Sequence, residues 1–166
     1  MDKTTLVLVS CASQKLATAA PAGQLYTSQL FRAARTYAQR VGDAWGILSA
    51  KHGIAWPDEM LEPYDCSLVG AGRDRKRQWS SWVQCGIAAW LADRPHLMHR
   101  PGKYSKINPS ALRVVVLAGR HYVDSLPSSL QSVVETPLAG LGVGHRLQWF
   151  AQQNAGQAVA RQSLLF

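Results

Sequence analysis

The sequence predicts a single α/β domain, organised as a three-layer sandwich around a mainly parallel central sheet. Three short apolar runs, at residues 6–9, 45–48 and 114–117, have the length and composition of buried strands in a parallel sheet. Segments with helical spacing lie between them, and alternating strands and helices indicate an α/β architecture. The chain has 166 residues, of which 47% are hydrophobic, which suits one globular domain.

The first helix is predicted between the first two strands. Thr27 and Ser28 are both suitable N-cap residues, and apolar residues recur at helical spacing from there to Val41. Gly42 then provides a C-terminal stop. The second strand follows, and after it residues 56–72 are acidic and loop-like.

Two more helices complete the predicted order β-α-β-loop-α-β-β-α. The second helix covers about 73–93, with an inward face predicted to carry Trp79, Trp82, Val83, Ile87, Trp90 and Leu91. A short strand opens at 133–134, and a last helix runs from Gly142 to Gln153. We therefore place the domain at residues 1–152 and expect residues 153–166 to form a flexible tail.

The charge of the chain favours a polyanionic partner, with nucleic acid first. The formal net charge is +8 and the isoelectric point is about 9.8. Basic residues gather in two segments, the second of which is a long loop, and we expect both to contact DNA: Arg73, Arg75, Lys76 and Arg77, then Arg100, Lys103 and Lys106. The alternative is a basic protein that has no such partner.

Other features indicate a cytoplasmic protein without a metal or other cofactor. The number of cysteines is odd, and the amino terminus leads into the first strand without the pattern of a signal peptide. The apolar runs are too short to span a membrane. The spacing of Cys11, Cys66 and Cys85 fits no zinc pattern, and His96 and His99 have no neighbouring residues that would complete a ligand set.

Polar side chains follow each of the three apolar runs. Ser10, Cys11 and Lys15 follow the first, Ser49, Lys51 and His52 the second, and Gly119 and Tyr122 the third. Ligands of open α/β sheets bind beyond the carboxyl ends of the strands. We therefore expect one concave site, lined by Ser10, Lys15, Ser49, Lys51, His52, Tyr64 and Asp65, with Lys15, Lys51 and Asp65 facing a common cavity.

The types of residue in these clusters suggest their chemistry. A lysine beside a hydroxyl can hold a phosphate, and a histidine can transfer protons near neutral pH. The segment from Glu62 to Asp65 adds two carboxylates and Tyr64, whose ring can stack on a base. The alternatives are a capped turn at Ser49 and His52 and a solvated acidic loop.

The last five residues resemble a peptide that docks on a sliding clamp. The segment from Gln162 to Phe166 follows a polar stretch and ends in leucines and a phenylalanine, like the short peptide by which bacterial replication and repair proteins bind the clamp. Gln162, Leu165 and Phe166 are the predicted contacts. The alternative is a tail that folds back and buries Leu165 and Phe166 on its own core.

Taken in order, these motifs resemble a bacterial and phage family of unknown function that is related to the YaaA peroxide-stress proteins. The resemblance covers nearly the whole chain up to the tail. It rests on the motifs at 10–15, 25–31, 48–53, 62–65, 117–122 and 137–144. It implies a cytoplasmic α/β domain that is associated with DNA and carries a pocket like that of DNA glycosylases.

The function expected from this resemblance is cleavage of the N-glycosidic bond of a modified or damaged nucleobase in DNA. Asp65 or Glu62 would stabilise the developing cation or position water, and Lys51 or His52 would stabilise the leaving base. Tyr26 or Tyr64 would stack on the base, and Ser10, Cys11 and Lys15 would hold a phosphate. The alternatives are a non-catalytic DNA-binding stress or defence protein and a small-molecule nucleotide hydrolase.

Overall fold

The computed structural model describes residues 2–99 and 106–155. The strands are β1 (Thr4–Ser10), β2 (Ala20–Pro21), β3 (Ala44–Ser49), β4 (Gly53–Ala55), β5 (Met60–Leu61), β6 (Leu112–Leu117) and β7 (Val134–Glu135). The helices are α1 (Ala22–Leu25), α2 (Gln29–Val41), α3 (Arg73–Ala92), α4 (Arg120–Val123) and α5 (Val143–Ala155). Short 3₁₀ turns lie at Pro95–Leu97 and Ser128–Leu130.

The described residues form a mixed α/β domain around a five-stranded, mostly parallel sheet in the order β4-β3-β1-β6-β7. The central strand β1 pairs in parallel with β3 and β6, and β7 pairs in parallel with β6. β4 is antiparallel to β3, and β2 and β5 form a separate two-stranded sheet. The predicted mainly parallel α/β fold is therefore confirmed.

The residues of β1 contribute alternately to two different buried clusters. Leu6 and Leu8 of β1 belong to a buried cluster with α3, whereas Val7 and Val9 belong to a cluster with α2 and α5. This alternation follows from the two-residue repeat of a strand. It explains why β1 is a continuous apolar run, because both of its faces are buried.

The predicted helices are confirmed, with one change at the end of α5. Ser28 is the N-cap of α2, where its Oγ accepts a hydrogen bond from the Phe31 amide at 3.2 Å, and Gly42 is the C-cap residue. α5 continues to Ala155, so residues 153–155 are helical and the prediction of a tail from 153 was wrong there. The remaining predicted tail residues, 156–166, lie outside the described residues.

β4 was not predicted, and one residue that was wrongly predicted to face the core lies beside its first residue. The turn before β4 needs Gly53, whose φ is 78°, and a Cβ atom there would lie 2.7 Å from Cβ of Trp82. Trp82 was predicted to face the core but is 36% exposed, while Trp79 is fully buried and Trp90 is half-buried. Trp79 shares the buried face of α3 with Val83, Ile87 and Leu91, whereas Trp82 lies beside that face, against Gly53.

No helix within residues 2–99 and 106–155 is long and apolar enough to cross a membrane.

Candidate functional site

A chain of three hydrogen-bonded hydroxyl groups lies at the carboxyl end of β3. The Tyr64 hydroxyl is 2.7 Å from Ser49 Oγ and 2.7 Å from the Tyr26 hydroxyl. Ser49 is the last residue of β3 and is fully buried, and Tyr26 is 1% exposed. Tyr64 is half-buried, so its ring is the member of the chain that solvent or a ligand can reach.

Burial keeps these phenols protonated. Burial raises the pKa of Tyr26 to about 12, against a lowering effect of its hydrogen bond to Tyr64. Burial also raises the pKa of Tyr64 far above its usual range, and the neighbouring Cys11 adds to this effect. Both tyrosines therefore stay neutral near pH 7 and remain able to donate a proton in a hydrogen bond.

Lys15 lies over the face of Tyr64. Its ammonium nitrogen is 4.4 Å from the centre of the Tyr64 ring and 5.6 Å from that of Tyr26. The same nitrogen donates to the carbonyl of Ala12 at 2.8 Å. These contacts hold a positive charge above the hydroxyl chain by cation–π attraction and a hydrogen bond.

The turn after β3 presents Lys51 and His52 to the same tyrosine. The His52 amide donates to Ser49 Oγ at 3.1 Å, which fixes the turn. The His52 ring stands edge-on to Tyr64 at a centroid separation of 5.4 Å, and the Lys51 nitrogen lies 5.8 Å from the Tyr64 ring centre. Burial, and then the charge of Lys51, lower the pKa of His52, so its imidazole is mainly neutral near pH 7.

A second pair, Cys11 and Tyr122, links β1 to α4. Cys11 Sγ is 3.1 Å from the Tyr122 hydroxyl and accepts a hydrogen bond from the Ala50 amide at 3.4 Å. Burial raises the pKa of Tyr122 well above its usual range, and Cys11 raises it further. The Tyr122 ring also packs edge-on against Trp79 at 5.5 Å. The ends of β1, β3 and β6 are therefore joined by side-chain contacts.

Two side chains of α3 donate hydrogen bonds to the backbone at the end of β3. Trp79 Nε1 donates to the Ser49 carbonyl at 2.8 Å, and Arg75 Nη2 donates to the Ala50 carbonyl at 2.8 Å. Arg75 also lies 3.4 Å from Cys66 Sγ and stacks on the Trp82 ring at 4.8 Å. We predicted Arg75 as a surface contact to DNA, but the structure turns it inward, where it supports the site.

Trp79 and Cys66 were not among the predicted site residues. Trp79 was predicted only as a core residue, and Cys66 was considered only as one of three cysteines whose spacing fits no zinc pattern. The four-residue spacing between Arg75 and Trp79 is the signal that places both on one face of a helix. Cys66 directly follows Asp65 in a loop, and only the tertiary structure brings it to Arg75.

Ser10 lines a neighbouring cavity, and Gly119 lies beside Arg146, another residue of that cavity. Ser10 and Cys11 line a small cavity of about 50 Å³ together with Ser28 and Arg146. A Cβ atom on Gly119 would be 3.5 Å from the Arg146 guanidinium. Arg146 was not predicted, because only the packing of α5 brings it to the strand ends. The predicted single site is thus divided, and Cys11 is shared between its two parts.

The two predicted carboxylates make no hydrogen bond to the hydroxyl chain within the described residues. Glu62 and Asp65 are both exposed. Among residues 2–99 and 106–155, neither makes a side-chain hydrogen bond or an ion pair. The expectation that Asp65 shares a cavity with Lys15 and Lys51 is therefore not met by any contact that the structure describes.

The predicted DNA-binding residues that the structure describes do not form one surface. Arg73, Lys76 and Arg77 line one surface groove beside α3. Lys106 is exposed at a different cavity of about 840 Å³, which also includes Leu91, Met98 and Ile107. Arg100 and Lys103 lie outside the described residues. In the described part of the chain, no three His, Cys, Asp or Glu side chains are grouped so that they could hold a metal ion.

The fold and this strand-end site define an α/β domain with a polar, cationic site beyond the parallel strands. Residues 6–152 match the model of a family of unknown function, DUF6884, and the chain belongs to this family. No curated protein and no solved structure matches the chain.

Proposed function

We propose that this protein is a DNA-associated enzyme that cleaves the N-glycosidic bond of a modified or damaged nucleobase. The observation that carries the proposal is the chain of neutral hydroxyls from Ser49 through Tyr64 to Tyr26, with Lys15 held over its half-buried middle member, Tyr64. A leaving nucleobase develops negative charge, and preorganised donors beside a cation stabilise such charge.

The reaction needs a group that stabilises the leaving base, a carboxylate that accepts the proton of the attacking water, and an aromatic ring that stacks on the base. Water adds to C1′ as the C1′–N bond breaks, and the base leaves with the electron pair of that bond. Lys51 stabilises and protonates the departing nitrogen, with the neutral His52 imidazole as the alternative hydrogen-bond donor to the leaving base, while the proton lost by the water passes to a carboxylate. Tyr64 offers the ring that stacks on the base, because Tyr26 is buried at 1% exposure.

Asp65 is the carboxylate that we assign to this step. It directly follows Tyr64 and is exposed, so it is free to approach a bound sugar. Glu62 lies three residues earlier in the same loop and is the alternative. Either would activate water and offset the positive charge that develops on the sugar.

A second candidate is a protein that recognises a base or nucleotide without cleaving it. The specific observation in its favour is that neither Asp65 nor Glu62 makes a hydrogen bond to the hydroxyl chain within the described residues. Lysines, neutral tyrosines and a histidine are sufficient to bind a nucleotide, but without a carboxylate beside the sugar they do not offset the positive charge that develops there during cleavage. The two candidates share the site and differ in turnover.

The experiment that separates them is product analysis. The protein is incubated with DNA that contains ordinary, oxidised or hypermodified bases, and free base and alkali-labile strands are measured. Lys51→Ala and Asp65→Asn should each abolish base release and change DNA affinity by less than about tenfold, because phosphate contacts elsewhere provide most of the affinity. Lys3→Gln, at the amino end of β1, is the control. Retained binding with no free base from any substrate would overturn the enzyme and favour the second candidate.

The proposal also covers the architecture, the cellular location and a protein partner. The two buried clusters on opposite faces of the sheet support a three-layer sandwich. The free thiols of Cys11, Cys66 and Cys85 support a cytoplasmic location. The last five residues support docking on a sliding clamp.

A further inference from the structure

The start of α3 forms one wall of a basic surface groove, which we call the α3 groove. It is lined by Arg73, Lys76, Arg77 and Ser80 of α3 and by residues 124–126, and it has a volume of about 440 Å³. The three basic residues lie on one face of α3 because they are spaced by three and four residues. Arg75 is on a different face and points to the site instead.

The charge of the α3 groove is strongly positive. In the part of the chain that the structure describes, Arg73, Lys76 and Arg77 form no ion pair. The carboxylate in the groove wall, Asp124, is already engaged by Arg120 at 3.1 Å. Three uncompensated cations in one concave surface therefore face solvent, and like charges so close together favour a polyanionic partner.

Both walls of the α3 groove are attached to the site at the strand ends. On one wall, Arg75 extends from α3 to the carbonyl of Ala50, the residue after Ser49. On the other wall, the α4 segment that leads to Ser125 also carries Tyr122, whose hydroxyl is 3.1 Å from Cys11 Sγ. The groove therefore begins where the site ends, at the same edge of the sheet.

We propose that the α3 groove binds the phosphodiester backbone next to the nucleotide held at the Ser49–Tyr64 site, so that the substrate is a nucleic-acid strand and not a free nucleotide. This rests on the proposed function only in that the site holds a nucleotide. Arg73, Lys76 and Arg77 contact successive phosphates. These contacts position the strand without reading its sequence.

The test compares two triple variants of the full chain that lose equal charge. One is Arg73→Gln/Lys76→Gln/Arg77→Gln. The control is Lys3→Gln/Arg32→Gln/Arg94→Gln, whose positions precede β1, lie on α2 at the other face of the sheet, and follow the far end of α3. Binding of a single-stranded oligonucleotide of about 16 nucleotides is measured against salt by fluorescence anisotropy, and binding of a mononucleotide by calorimetry.

We expect the groove variant to bind the oligonucleotide at least about tenfold more weakly, and its log–log salt slope to fall by about 2, because each single-strand phosphate contact contributes about 0.7. Its mononucleotide affinity should stay within about twofold of the parent, and the control should keep the parent slope. Equal losses in both variants, or an equal loss for the mononucleotide, would overturn the inference. Base release is measured separately. Its absence would contradict the proposed enzymatic activity and would not affect this comparison of oligonucleotide and mononucleotide binding.

Discussion

The hydroxyl oxygens of Ser49 and Tyr64 lie 2.7 Å apart, although the two residues are 15 positions apart in sequence. This bond joins the buried end of β3 to the loop that carries Asp65. Because Tyr64 also bonds to Tyr26, it is the middle member of the chain and the only one in contact with both other hydroxyls. Its removal should therefore affect stability and binding more than the removal of either end.

Tyr64→Phe tests this central position. The change leaves the Ser49 and Tyr26 hydroxyls without their shared partner, and a buried polar group that loses its partner costs about 1–3 kcal/mol. We expect the free energy of unfolding in denaturant to fall by that amount. Tyr37→Phe is the matched control, because Tyr37 is also buried but packs on Trp149 outside this chain. Equal effects of the two substitutions would contradict the central role of Tyr64.

Alkaline pH tests the buried phenols directly. The pKa of Tyr26 is about 10 in the unfolded chain and about 12 in the folded protein. Between these pH values the unfolded chain has lost the Tyr26 proton and the folded protein keeps it. The stabilisation that Tyr26 contributes is therefore fully present below pH 10 and declines as the pH rises toward 12. For one such group, the free energy of unfolding falls by about 1.4 kcal/mol per pH unit in this range.

Tyr26→Phe should make this decline shallower in denaturant titrations from about pH 9 to about pH 12, the range set by the phenol pKa values. Tyr64 and Tyr122 are raised in the same direction, so part of the decline should remain. Phenolate absorbance should show these tyrosines ionising only as the protein unfolds. Early ionisation of all five tyrosines in the folded protein would contradict the buried hydroxyl chain.

The elements that the sequence predicted well are those with local causes. The cap at Ser28 and the stop at Gly42 depend on neighbouring residues, and the strand ends depend on continuous apolar runs. Arg75 shows what was missed. It stands beside Arg73 and Lys76 in sequence, but about 100° of helical rotation per residue directs it to Ala50. Contacts such as Lys15 with Tyr64 cross the fold and depend on topology, which local patterns do not specify.

The pKa of His52 should respond to Lys51. Burial is the first cause of its lowered pKa, and the charge of Lys51 is the second, while Glu59 acts in the opposite direction. Lys51→Gln removes the second cause, so the His52 pKa should rise but remain below its ordinary value. NMR titration of the imidazole measures this, with Lys3→Gln as the control. An unchanged His52 pKa in Lys51→Gln would show that the two side chains do not share the site.

The carboxyl-terminal peptide provides the last prediction. Gln162, Leu165 and Phe166 are the expected contacts to a sliding clamp, where leucine and phenylalanine side chains would fill an apolar groove. A chain that ends at Arg161 should lose binding to the clamp of its own host, measured by calorimetry, and should melt within about 2 °C of the full chain. Leu165→Ala/Phe166→Ala should reproduce the loss of binding, and Ser163→Ala is the control within the same peptide. If the shortened chain melts several degrees lower, Leu165 and Phe166 contribute to the core of the domain, and the clamp prediction is wrong.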